Sequence, residues 1–143
     1  MEGQGTPVIV VDTNLLVYLV LPTHHSQVAE SVWEKDDFWV APELVFSEFR
    51  NVLLGAVRRG NIDRVDIPAI LAQAREVIRV STEPIKDESV IFLALEGDLS
   101  AYDAEFVWLS RQAGVPLVTS DRKVRRSFPE TTLTPEEFLK GKN

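Results

Sequence analysis

The chain has 143 residues, 45% hydrophobic and 26% charged, with a formal net charge of −7 and no cysteine. Such a balance predicts an ordinary globular protein that buries a core unaided; it excludes a disulfide framework, a thiolate metal site and a cysteine nucleophile, and it suits a reducing cytoplasm. The negative charge argues against a generic electrostatic binder of nucleic acid, but not against a site whose carboxylates are neutralised by metal ions.

The opening MEGQGTP is polar and Gly-rich, without the basic stretch of a signal peptide, and residues 1–6 are expected to form a flexible N-terminus. Val8–Val11 is a continuous apolar run and predicts a strand buried on both faces, as in parallel sheets. Leu15–Leu21 predicts a buried helix ended by Pro22; with Asp12 and Asn14 interrupting it, the whole apolar segment is too short to span a bilayer. In SQVAESVWEK, Val28, Ala29, Val32 and Trp33 fall at helical spacing. Phe38–Ala41 predicts a short strand, after which Pro42 opens a long helix ending near Arg59 and Gly60.

Ile67, Ile70, Leu71, Ala74, Val77 and Ile78 form a further helical stripe, followed by a short strand at Arg79–Thr82 and a helix over Asp87–Glu96. Ala101–Ala113 predicts a helix closed by Gly114, and PLVT at Pro116–Thr119 a second buried strand. The last element carries a capping box, with Thr134 as N-cap, Pro135 in the first turn and Glu137 three residues on. No repeat or linker interrupts this order, so residues 1–143 read as a single domain. Helices alternating with short buried strands predict a three-layer α/β/α sandwich around a mostly parallel sheet.

Four acidic residues stand apart from the charged surface. Asp12 ends the first strand, and Asp121 follows PLVT after one residue. Functional groups in open parallel sheets collect beyond the carboxyl ends of the strands, so these two aspartates are candidates for one site. Glu48 has Leu44 and Val52 as its i−4 and i+4 neighbours and therefore lies on an apolar helix stripe. Asp103 opens an apolar helix. Each aspartate also has a structural reading: Asp12 and Asp121 as N-caps, Asp103 as the acid of Ser100-Ala101-Tyr102-Asp103. Capping does not account for Glu48, whose structural reading is a salt bridge from Arg50 or another basic residue. Carboxylates gathered without cysteine or a suitable histidine pair suit Mg²⁺ or Mn²⁺ better than Zn²⁺.

VDTNLLVYL, PELVFSEFRNVL, SAYDAEFVWLS and PLVTSD together resemble, in order, the four motifs of PIN-domain ribonucleases. Among these the sequence is most similar to the VapC-type toxins of prokaryotic toxin–antitoxin modules. The resemblance implies a parallel-sheet α/β/α sandwich and Mg²⁺- or Mn²⁺-dependent cleavage of RNA. It places the family's acidic quartet on Asp12, Glu48, Asp103 and Asp121, and its accompanying polar positions on Asn14, Thr119 and Ser120. It further implies a homodimer and a small cognate antitoxin whose N-terminal part binds DNA. Arg122, Lys123, Arg125 and Arg126 follow Asp121 and are candidates for holding RNA phosphates; a solvated basic helix is the competing reading. The apolar faces around Leu16–Val20, Val28–Trp33 and Phe46–Leu54 are either core or a groove for an antitoxin helix. His24 and His25 are expected to be exposed and take no chemistry, Trp33, Trp39 and Trp108 read as core or dimer contacts, and Arg58-Arg59 reads as ordinary charge at a helix C-terminus.

Two other classes share parts of this pattern. Haloacid-dehalogenase-like phosphatases carry an Asp-x-Asp motif after the first strand, but here the second acid is replaced by Asn14. Response-regulator receivers carry an acidic pair there, and Val11-Asp12-Thr13 offers one acid. A non-catalytic PIN scaffold that binds RNA or protein is the remaining alternative, disfavoured by the presence of all four acids.

Overall fold

The computed structural model describes residues 8–141, and the expected N-terminal tail at 1–6 lies outside them. Five strands run in parallel: β1 (Ile9–Val11), β2 (Trp39–Ala41), β3 (Ile78–Val80), β4 (Leu117–Val118) and β5 (Thr132–Leu133). Their spatial order is β3-β2-β1-β4-β5. The chain thus builds outward from β1 on one side through β2 and β3, then returns to the other side for β4 and β5. That reversal makes the gap between the ends of β1 and β4 the topological switch point, where such sheets place their sites.

The helices are α1 (Thr13–Val20), α2 (Ser26–Lys35), α3 (Leu44–Arg58), α4 (Ile67–Val77), α5 (Asp87–Gly97), α6 (Ala101–Ala113), α7 (Arg122–Ser127) and α8 (Pro135–Leu139), with a 3₁₀ turn at Arg64–Asp66. α1 packs against α2, α3 and α4, and α2 against α8, while α5 packs against α6 and α7. The expected α/β/α sandwich is therefore the one observed. Burial explains why β1 reads as an unbroken apolar run: Ile9, Val10 and Val11 are all buried, flanked by a strand on each side and covered by helices. Trp39 and Trp108 are core residues, and Trp33 meets Trp39 edge-on at 5.4 Å between ring centres.

Local signals account for most element ends. The Thr134 capping box forms as expected, with Thr134 and Glu137 exchanging side-chain and backbone bonds. Gly114 closes α6 at φ 68°, a left-handed conformation that glycine adopts without strain. At the α2–β2 junction, buried Asp36 accepts from the Phe38 N–H while its carbonyl accepts from the Trp39 indole.

Three expectations change, and one strand was not expected. Helix α1 begins two residues earlier than expected, at Thr13, because Asp12 caps it. Pro42 precedes α3, which begins at Leu44. Strand β3 spans Ile78–Val80 rather than Arg79–Thr82, since Ile78 pairs with Trp39. Strand β5 has no periodicity of its own and exists through its pairing of Thr132 with Leu117 and Leu133 with Val118. The three apolar faces considered for a docking groove are largely interior: Leu16, Val17, Ala29, Val32, Phe46, Phe49 and Leu53 are buried. His24 and His25 are exposed, as expected.

One close approach gives a test of this packing. A Cβ on buried Gly97 would lie 2.5 Å from Cε2 of Phe128, itself a fully buried ring. Gly97→Ala should destabilise the fold by about 1–3 kcal/mol through overpacking, measured as a lower urea midpoint at unchanged m-value.

Candidate active site

Strand register brings the first two functional groups together. Val11 pairs with Val118, so the next residue along the chain from the first, Asp12, lies beside the one after the second, Thr119. The Thr119 hydroxyl donates to Asp12 Oδ2 at 2.5 Å, and the Leu15 N–H donates to Oδ1 at 3.0 Å. Asp12 is therefore the N-cap of α1 and a wall of the cleft beyond the strands at once. Asp121 has the same double character. Its Oδ1 accepts from the Lys123 and Val124 N–H groups to cap α7, and its own N–H donates to Thr119 Oγ1.

Glu48 reaches the site from α3 and is held by Thr13, whose hydroxyl donates to Oε1 at 2.5 Å. Asp103 occupies the first turn of α6, its N–H bonded to the Ser100 hydroxyl. All four acids, with Asn14 and Thr119, line one open cleft of about 670 Å³. Thr13, Ser47, Asn51 and Tyr102 line it as well. They escaped sequence reasoning, although Thr13 adjoins Asp12 and Ser47 and Asn51 flank Glu48 on the same helix. Ser120, Arg122, Lys123 and Arg125 do not line this cleft. Ser120 is exposed, and Lys123 lies 3.7 Å from Asp98 while its charge also lowers the Asp103 pKa.

The electrostatics are those of crowded like charges. Burial pushes the Asp12 carboxyl up to about 6 against two favourable hydrogen bonds, with Asp121 and Asp103 adding repulsion. Asp103 is also raised, first by burial and then by Asp121 and Glu48. The cleft therefore holds oxygen donors in excess of positive charge, which is the donor chemistry of a hard divalent cation. Among the described residues no three acidic or histidine side chains stand as a closed ligand cluster. Both Asp12 oxygens and one Asp121 oxygen are meanwhile engaged in local hydrogen bonds.

A PIN domain profile matches residues 9–127, an interval that contains all four acids and nearly the whole sheet. The chain belongs to the PIN-domain family. It is 28% identical over 126 residues to Ribonuclease VapC3 of Pyrobaculum aerophilum, covering 85% of this chain and 95% of that protein. Its fold is similar to the crystal structure of PAE2754 from Pyrobaculum aerophilum, with a TM-score of 0.76, 23% identity and 97% of each chain covered. Among the described residues of this PIN domain, no helix is long and apolar enough to cross a membrane.

The raised Asp12 pKa has a consequence for the metal-free protein. An acid whose folded pKa exceeds its unfolded value costs stability above the folded pKa, and the cost vanishes below the unfolded one. For Asp12 that window runs from about 6 down to 3.8. In EDTA, Asp12→Asn should therefore raise stability at pH 7.5 by up to about 3 kcal/mol. Urea unfolding at pH 7.5 and pH 5 should show the advantage of the variant shrinking at the lower pH.

Proposed function

We propose that this PIN domain is a Mg²⁺- or Mn²⁺-dependent endoribonuclease, the toxin of a VapBC-type toxin–antitoxin pair. The observation that carries the reading is the meeting of Asp12, Glu48, Asp103 and Asp121 on one cleft at the sheet's switch point. Similarity to a relative named as a ribonuclease supports the choice of RNA as substrate. Asp12 and Asp121 are the principal residues that would hold a divalent cation, with Glu48 and Asp103 completing the set. Such an ion supplies charge neutralisation and Lewis-acid polarisation of the scissile phosphodiester.

The chain's own groups do the positioning. The Leu15 N–H and Thr119 hydroxyl keep the Asp12 carboxylate from rotating, and Thr13 does the same for Glu48. Glu48 and Asp103 orient the attacking water and accept its proton. Asn14, exposed at the start of α1, offers an amide to the substrate phosphate or ribose. Ser120, Arg122, Lys123 and Arg125 then act beyond the cleft, against phosphates of the flanking strand. The partners of this reading are a small antitoxin whose N-terminal part binds DNA, and a second copy of the chain, in the cytoplasm.

Purified Asp12→Asn should lose RNA cleavage by at least about a thousandfold, the scale of removing a group that acts on transition-state charge, while its circular dichroism matches wild type. Equal cleavage by both proteins would refute the site. Release of inorganic phosphate from phosphomonoesters without RNA cleavage would instead indicate a phosphatase. Mg²⁺ or Mn²⁺ should also raise the wild-type melting temperature by mass action. Asp12→Asn combined with Asp121→Asn should abolish that rise, as followed by differential scanning fluorimetry. Co-expression with the adjacent small open reading frame should yield a complex with suppressed activity.

A further inference from the structure

Helix α3 carries more than Glu48. Ser47, Asn51, Gly55 and Arg59 recur at four-residue spacing, so they form one row along the helix, running about 18 Å from the cleft to the helix end. Ser47 and Asn51 line the cleft itself. Asn51 and Val52 also line a second, smaller groove of about 370 Å³, together with Leu54, Gly55, Arg58 and Arg59. The two concavities thus share Asn51 and Val52 in their linings.

A glycine within a helix weakens it relative to alanine, so Gly55, in the last turn of α3, calls for an explanation. A Cβ there would lie 3.1 Å from Arg59 Nη1. The Arg59 guanidinium thus folds back over Gly55, in the direction of Asn51 and the cleft, instead of extending into solvent beyond the helix. Among the described residues no carboxylate forms an ion pair with Arg58 or Arg59. Nearer the cleft, Arg50 donates to the Ser47 hydroxyl at 3.1 Å, which sets another cation at the rim. In a chain of net charge −7, unpaired cations aligned with an acidic cleft are placed against the overall field.

We propose that this face of α3 is a track for single-stranded RNA, with Asn51 and Arg59 as positioning residues. They would hold the strand a few nucleotides away from the phosphodiester lying among the carboxylates. The inference rests on the ribonuclease reading and adds the path that the substrate takes. Arg59 contacts a backbone phosphate, Asn51 a ribose or phosphate oxygen, and Gly55 leaves room for the strand and the guanidinium together. Electrostatic attraction at the track offsets the repulsion of an anionic substrate by the acidic cleft. The competing account makes Arg58 and Arg59 a simple complement to the helix C-terminal dipole. That account explains neither Gly55 nor the lining that cleft and groove share.

The test is binding of a fluorescein-labelled single-stranded RNA of about 20 nucleotides, read by fluorescence anisotropy in EDTA, where no cleavage occurs. Arg59→Gln should weaken binding roughly three- to tenfold, as for one exposed charge-assisted contact, and reduce the salt slope by about 0.7. Arg59→Lys should recover part of both. Gly55→Ala should weaken binding while its melting temperature holds or rises, which separates the track from any stabilising role. With metal, Arg59→Gln should raise KM for long RNA and leave turnover of a dinucleotide unchanged. Unchanged RNA affinity and salt slope in Arg59→Gln overturn the proposal, and a lowered melting temperature alongside them assigns the arginine to the helix dipole. The same overturning result, combined with tighter binding of an acidic peptide by wild type than by Arg59→Gln, assigns the face to a protein partner. Absence of metal-dependent cleavage by wild type would count against the nuclease reading alone, because the anisotropy experiment reads binding without it.

Discussion

The bond between Thr119 and Asp12 is the contact on which the site depends. It joins the ends of two adjacent parallel strands, β1 and β4, at the point where the sheet reverses its direction of growth. Asp121 and Glu48 are both linked to it. Asp121 is tied to the same Thr119 hydroxyl through its backbone N–H. Thr13, the residue after Asp12, fixes Glu48, so α3 is brought into the arrangement through α1. A single hydroxyl on a strand end thereby orders a short section of two loops and two helix starts.

Capping and chemistry are the same interactions here, viewed from two sides. Asp12 and Asp121 satisfy orphan N–H groups at the starts of α1 and α7, which supplies the usual helix stabilisation. Those bonds also hold each carboxylate in one orientation, facing the cleft. The arrangement is opposed by burial and by mutual repulsion, which raise the Asp12 pKa to about 6. Destabilised acids at a site surrounded by a well-packed core are the expected signature of function that costs stability. Binding of a cation to the folded form alone reverses that cost.

An acidic protein that is to act on RNA, as proposed, needs local cations where its own field is wrong. The α3 face gathers Arg50, Arg58 and Arg59 in a chain whose net charge is nonetheless −7, and a Cβ at Gly55 would crowd the Arg59 guanidinium. The basic residues of α7 follow Asp121 in the chain, and Lys123 there is partly engaged with Asp98. Cleft, α3 face and α7 together describe an acidic centre with cationic approaches.

Much of this was legible in the linear chain. The apolar run of β1, the helical stripes and the capping box at Thr134 are local patterns, and each formed as read. Asp12, Glu48, Asp103 and Asp121 were also recognisable, because acids beside apolar runs are costly unless something compensates them. The rest depended on contacts between distant residues. β5 is two residues long and becomes a strand only against β4, a pairing that its own composition cannot encode. Whether the faces of α1, α2 and α3 were groove or core was undecided in sequence, since apolar spacing is the same for both; packing buried most of their residues and left Leu54 exposed. Register alone placed Thr119 against Asp12, and only the folded helix turned Arg59 back over Gly55. The sequence by itself determined which chemistry-bearing side chains the chain has and on which kinds of element they lie, because residue type and local periodicity are local properties. Tertiary structure decided which of those residues meet, because convergence depends on strand order and register across more than a hundred residues of separation.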